Sequence, residues 1–221
     1  MEQDLTVTDH RLTTPRAAAV AGILFSVLFI ISLVLIRIAV PVVSDSAGAS
    51  PVTERKSIEF VLHLLPFTGI AFLWFIGVLR DRLGVYEDRF FATVFFGSGL
   101  LFLAMLFAAA AVANGVMLGQ GALADGPAPG IYTFGRTVVY QLIHVYAMKM
   151  SGVFMISTCT VAIRTRIFPR WMAYLGFVLA LLLLLSTGML YWTPLVFPLW
   201  VLLISVHILL ANLKPDSVAA P

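Results

Sequence analysis

Five residues in the sequence combine a titratable or strongly polar side chain with an apolar setting: Glu59, His63, Gln141, His144 and Lys149. Glu59 and His63 are four apart in SIEFVLHLLPF, so on a helix they stack one turn over the other, with Arg55 a turn before them and Pro66 three residues after. A carboxylate beside an imidazole can fix its tautomer, which suits proton handling near neutral pH or metal binding. The same stripe can also satisfy itself, as an ion pair plus a hydrogen-bonded histidine at a membrane surface. In YQLIHVYAMKM, residues 140–150, Gln141, His144 and Lys149 fall inside a hydrophobic run. Groups so placed line something wet, pair with polar groups on neighbouring helices, or lie nearer the membrane surface than the run implies.

His63 precedes Arg80, and His144 precedes Arg164, by nearly equal lengths of helix. At about 1.5 Å per residue, the depths of the two histidines differ by only about 5 Å. Two histidines at matched depth are what a bis-histidine haem b held in a helical bundle requires. A metal site built from Glu59, His63 and His144 has less behind it, because no second His at i+4 and no acidic cluster accompanies them. Tyr140, His144, Met148, Ser151 and Thr158 recur at helical spacing and define one mildly polar face. Lys149, five residues after His144, should stand about 140° away from it on a regular α-helix. Its stem can then carry the ammonium toward the nearer membrane surface.

The elements that must position these residues follow from composition. Of 221 residues, 61% are hydrophobic and only 11% charged, and the mean hydropathy is +1.01. That leaves too little polar surface for a water-soluble globule, so lipid is the solvent. Six runs are long enough to cross it: about 17 to 40, 57 to 79, 90 to 118, 135 to 163, 171 to 190 and 194 to 212. None alternates with a period of two, which excludes a membrane β-barrel. The expected fold is an all-α polytopic bundle of about six transmembrane helices, residues 17–212, between cytoplasmic tails at 1–16 and 213–221.

Orientation comes from the basic residues. Arg11, Arg16, Arg80, Arg82, Arg89, Arg164, Arg166, Arg170 and Lys214 fall on one side of the six runs, against Arg37, Arg55, Lys56 and Arg136 on the other. The positive-inside rule puts both termini in the cytoplasm. The net charge of +3 then reflects contact with anionic lipid headgroups, and nucleic acid is not an expected partner. Loops are short and no Walker loop, dinucleotide fingerprint, GxSxG elbow or HExxH is present, so no enzymatic activity is assigned. Small residues, GSG at 97–99 and the alanines at 108–111, mark the third helix as a candidate bundle centre. Trp74, Trp171, Tyr191, Trp192 and Trp200 read as interface anchors, and Pro66, Pro194 and Pro198 as kinks or helix ends. LRDRL at 79–83 and IRTRI at 163–167 echo one another, as two stop signals or as a trace of duplication.

At FPRWMAYLGFVLALLLLLS, residues 168–186, and in the first helix, RAAAVAGILFSVLFIISLVL, the chain resembles small bacterial membrane proteins grouped as domain of unknown function 4386. The resemblance implies a multi-pass protein of the bacterial plasma (inner) membrane and carries over no functional residue. Three functions stay open: an interaction or accessory subunit of a larger membrane assembly; a small carrier or channel-like transporter using the polar cluster; or a redox protein holding haem b through His63 and His144. Membrane lipids and partner subunits are the expected partners.

Overall fold

The computed structural model describes residues 14–39, 51–83, 89–122, 129–165, 168–186 and 192–213. With lipid outside and no water to satisfy exposed amides, each apolar run closes its own backbone hydrogen bonds and becomes a helix. The helices are α1 (Thr14–Ala39), α2 (Pro51–Leu83), α3 (Arg89–Ala122), α4 (Pro129–Gln141), α5 (Met148–Thr165), α6 (Arg170–Leu185) and α7 (Thr193–Leu213). A π-helical turn, Leu142–Ala147, joins α4 to α5 without a break. They make six rods, as expected, and the described residues contain no strand. Five segments are long and apolar enough to cross a membrane: Ala17–Leu35, Glu59–Arg80, Ala92–Val116, Thr133–Thr165 and Thr193–Ala211. The chain is therefore a multi-pass membrane protein. The fifth expected span, 171 to 190, is the exception, because α6 has only 16 residues. Residues 1–13 and 214–221, the loop at 40–50 and Tyr191 lie outside the described residues.

Short connections make neighbouring rods antiparallel. Helix α1 packs between α2 and α7; α3 packs on α2 and along the whole α4–π–α5 rod; α5 touches α3, α6 and α7. One set of rings ties them together. Phe25 and Phe29 of α1, Phe72 and Phe75 of α2, Phe95 and Phe102 of α3, Phe154 of α5 and Phe197 of α7 are all fully buried. Centroid separations of 4.6 Å for Phe25–Phe72, 5.2 Å for Phe72–Phe102, 5.4 Å for Phe72–Phe154 and 4.9 Å for Phe102–Phe197 are those of stacked and edge-to-face pairs. Phe72 alone meets five of the other rings.

Polar side chains enter this core because their own helix satisfies them. Ser26, Ser32, Thr68, Ser151, Ser157 and Thr158 each donate to a carbonyl three or four residues back, at 2.8 to 3.1 Å. Glycine supplies close approach at two junctions. A Cβ on Gly176 of α6 would collide with Cys159 Sγ of α5 and stand 2.7 Å from Trp200 Nε1 of α7. A Cβ on Gly22 of α1 would collide with Ser205 Oγ of α7 and stand 2.8 Å from Phe75 Cδ2 of α2. Trp200 Nε1 and Ser205 Oγ are buried without hydrogen-bond partners, which fits groups held by packing.

Several expectations change. Trp200 is 1% exposed and belongs to the core, whereas Trp74, Trp171 and Trp192 are exposed as anchors should be. Hydropathy gives a tryptophan's depth only loosely, and α7 places Trp200 against Gly176. The centre is α5 more than α3: the window Thr133–Thr165 is 61% buried and Ala92–Val116 is 39% buried. Gly99 packs against Ile76 and Phe154, but a Cβ on Gly97 would meet nothing within 4 Å, and Ala111 is exposed. Pro194 is the second residue of α7, where a missing amide costs nothing, and α2 and α7 continue past Pro66 and Pro198.

Phe72→Ala would leave a void of roughly 100 Å³ that no other side chain reaches, for a loss of about 2 kcal/mol on the cavity scale. A lower thermal midpoint in mild detergent checks this. Gly176→Ala should also lower the midpoint, while Gly77→Ala, whose new methyl meets nothing within 4 Å, should leave it unchanged or raise it, with up to about 1 kcal/mol of added stability.

Candidate functional site

Depth comes first, because it decides what a polar group costs. Arg80 ends the span of α2, Arg164 lies near the end of α5 and Arg170 starts α6, so one end of the bundle is rich in arginine. There the Arg80 guanidinium lies 5.4 Å from the centroid of the Phe96 ring, a cation–π contact between α2 and α3. At about 1.5 Å per residue, the helix from Arg80 back to Glu59 and the helix from Arg164 back to His144 are each about 30 Å long. A hydrocarbon core about 30 Å thick with one face at the arginines therefore has its far face at Glu59 and His144.

Glu59, His63 and Gln141 have exposed side chains, and His144 and Lys149 are half-buried. Glu59 and His63 share the outward surface of α2, a helix whose backbone packs on α1 and α3. The structure thus does not bring His63 to face His144 across a common cavity. Among the described residues no group of three or more His, Cys, Asp or Glu could hold a metal ion. What it does bring together lies on one rod: Tyr140 and His144.

The Tyr140 and His144 rings stack, with centroids 4.2 Å apart and planes at 14°. His144 Nδ1 is buried and makes no well-formed hydrogen bond, although the carbonyl of Tyr140 one turn back is near enough to interact with it. The turn that holds His144 is itself unusual. A π turn closes i→i+5 bonds and so takes more than four residues per revolution, a rare geometry found as single turns inside α-helices and frequently at functional sites. Each residue of such a turn advances by less than the roughly 100° of an α-helix, so the faces of the rod above and below it are offset from one another.

The same turn divides the face expected from Tyr140 to Thr158. Below it, Met148, Ser151 and Thr158 point into the core at 0 to 1% exposure; above it, Tyr140 is exposed and His144 half-exposed. Above the turn, a Cβ on Gly135 would collide with Val116 of α3. Below it, a Cβ on Gly152 would stand 3.1 Å from the carbonyl oxygen of Ala180 and from Leu184 Cγ of α6.

That second contact fixes a register. Gly152 lies between Ala180 and Leu184, so Lys149, one turn nearer the far face, is level with the last residues of α6. At 16 residues α6 is about 24 Å long, so it stops about 6 Å short of the far face, and a helix ends with carbonyls that its own amides cannot reach. Its cap, Ser186, donates its amide to the Leu182 carbonyl at 2.9 Å, and its hydroxyl lies 3.4 Å from that of Thr193 at the start of α7. A lysine level with a helix C-terminus is electrostatically favoured. Ser186 and Thr193 were absent from the sequence-based site. The available signal was the early end of the apolar helix, at STG after five leucines.

Compared with known proteins, the chain matches no family model, no curated protein sequence and no solved structure.

The stack has a spectroscopic signature. In the full chain, the His144 ring protons should resonate upfield of their ordinary positions through the Tyr140 ring current. Tyr140→Leu should move them downfield without changing the other histidine signals; unchanged His144 shifts would exclude the stack in solution.

Proposed function

We propose that the protein is a non-catalytic interaction subunit of a larger assembly in a bacterial plasma membrane, with both termini and the arginine-rich end in the cytoplasm. The observation that carries this reading is the projection of α3 and α4. The apolar segment Thr133–Thr165 has 33 residues, about 50 Å. Fitting it within about 30 Å of hydrocarbon would need a tilt above about 50°, outside the usual range of roughly 0 to 40°. Part of it therefore stands beyond the far face, together with the rest of α4 and the end of α3 on which α4 packs.

This projecting hairpin is about 20 Å tall, counting 13 residues of α4 at about 1.5 Å each. It carries Phe134 at 70% and Ile131 at 59% exposure. Large apolar side chains on a projection into water mark a surface that another protein covers. The ring cluster of Phe25, Phe72, Phe102, Phe154 and Phe197 occupies the middle of the bundle, which favours an interaction role over a central transport path. The exposed setting of His63 gives the haem b reading less support than the interaction role.

Gentle solubilisation followed by native mass spectrometry should show the chain in a complex with a second polypeptide, heavier than the 24.1 kDa of one chain. The double substitution Ile131→Ser and Phe134→Ser should release that polypeptide and leave the thermal midpoint of the bundle unchanged. A chain that runs alone from its native membrane overturns the proposal.

A further inference from the structure

Helix α4 is a regular α-helix from Pro129 to Gln141, so spacing fixes which of its residues share a flank. Ile131, Phe134, Val138 and Gln141 are separated by three, four and three residues, the spacing that lines side chains along the seam of a two-stranded coil. Ile131 and Phe134 are 59% and 70% exposed, Gln141 is exposed and Val138 half-buried. Beside this seam, Gly130 and Thr137 on one edge are exposed and uncharged, and Gly135 on the other is turned to Val116 of α3. The cation of the helix stands elsewhere: Arg136, two residues after Phe134, lies about 200° around the helix from it.

A charge-free seam narrows what can cover it. A partner surface rich in acids finds no counter-charge there, whereas a copy of the same seam meets no like charge, and its Arg136 points away from the contact. A twofold contact places each residue against itself or its neighbours, so the patch must be self-complementary. Apolar Ile131, Phe134 and Val138 meet that condition, and so does Gln141, whose side-chain amide both donates and accepts and can pair with its own copy. A polar residue on such a seam also fixes its register. Two copies in one membrane carry the seam at the same height and in the same direction, so α4 meets α4 in parallel without any further adjustment. Burial there removes apolar surface from water, a driving force that helices dissolved in lipid lack. Thirteen residues make a short coil, and confinement of both chains to one sheet in one orientation raises their effective concentration enough to offset that.

Resting on the interaction role, we propose that the partner seated on the projecting hairpin is a second copy of this chain, with the two α4 helices paired along Ile131, Phe134, Val138 and Gln141 about a twofold axis normal to the membrane. Arg136 of each copy is left on the outer side of the pair.

The test is disulfide trapping of the full chain in its native membrane. Phe134→Cys and Arg136→Cys are oxidised by dioxygen with copper phenanthroline, which takes two electrons and two protons from each pair of thiols as the S–S bond forms. Phe134→Cys should give a species of twice 24.1 kDa. The wild type, whose single cysteine is buried, and Arg136→Cys should give none. In vesicles, energy transfer between labelled copies should report the pair, and Phe134→Ala should raise the protein-to-lipid ratio at half-association about 100-fold, about tenfold for each of the two rings, with the thermal midpoint of the bundle unchanged. Trapping of Phe134→Cys to a polypeptide of another mass, or no trapping while a complex persists, overturns the second copy and leaves the interaction role standing. Equal trapping at 134 and 136 reports random collision and overturns the pairing. A chain that runs alone from its native membrane overturns both.

Discussion

Ring packing at mid-depth is the interaction on which the rest of the bundle depends. Between helices dissolved in lipid the hydrophobic effect contributes little, because a side chain leaving its neighbours meets acyl chains of similar polarity. Van der Waals fit must do the holding, and the densest fit here is the cluster of phenylalanines donated by α1, α2, α3, α5 and α7. Phe72 and Phe197 join rings that are distant in sequence, so no helix in the cluster can slide or rotate without unseating several partners. Helix α6 contributes no ring to the set and is held through Gly176 and Ala180 against α5 and α7. It is also the shortest rod.

A centre filled with rings has no place for ionisable groups, and the polar chemistry is displaced toward the ends. Most hydroxyls that stay inside, Ser205 excepted, return their protons to their own helix. The charged groups collect at two levels, one toward each membrane face. One level is stabilised by arginines, with Arg80 over Phe96; the other is built from single residues on separate rods, Glu59 and His63 on α2 and Gln141, His144 and Lys149 on the fourth. That second set looks like a cluster when ranked by depth. In space its members stand on two different rods.

Much of this was legible in the sequence. Lipid as solvent makes hydropathy a direct reading of span, so helix number and the absence of strands among the described residues followed from composition. The π turn was not legible, because LIHVYA has the composition of any buried helix and its geometry comes from contacts on either side. Trp200 was misplaced for a related reason: an aromatic residue near the start of a span sits equally well in a headgroup layer or against a glycine, and only the presence of Gly176 on the neighbouring helix decides. The small residues of α3 were read as a centre because spacing alone does not show which of them face a partner; Gly99 does and Gly97 does not.

The two glycine contacts on the fourth rod fix its rotation at two heights. Gly135 must face Val116 of α3, and Gly152 must face Ala180 and Leu184 of α6. These neighbours stand on different sides of the rod, so the angle between the two glycines is set by the bundle. An unbroken α-helix leaves no choice in that angle, because each residue between the glycines adds the same fixed rotation. A turn of i→i+5 geometry takes up the difference at the cost of one weaker turn, and it does so at the level where the bilayer gives way to headgroups, where a backbone carbonyl that loses its partner can still find a polar one. The position that costs the helix least is thus also the position at which the His144 ring stacks on Tyr140.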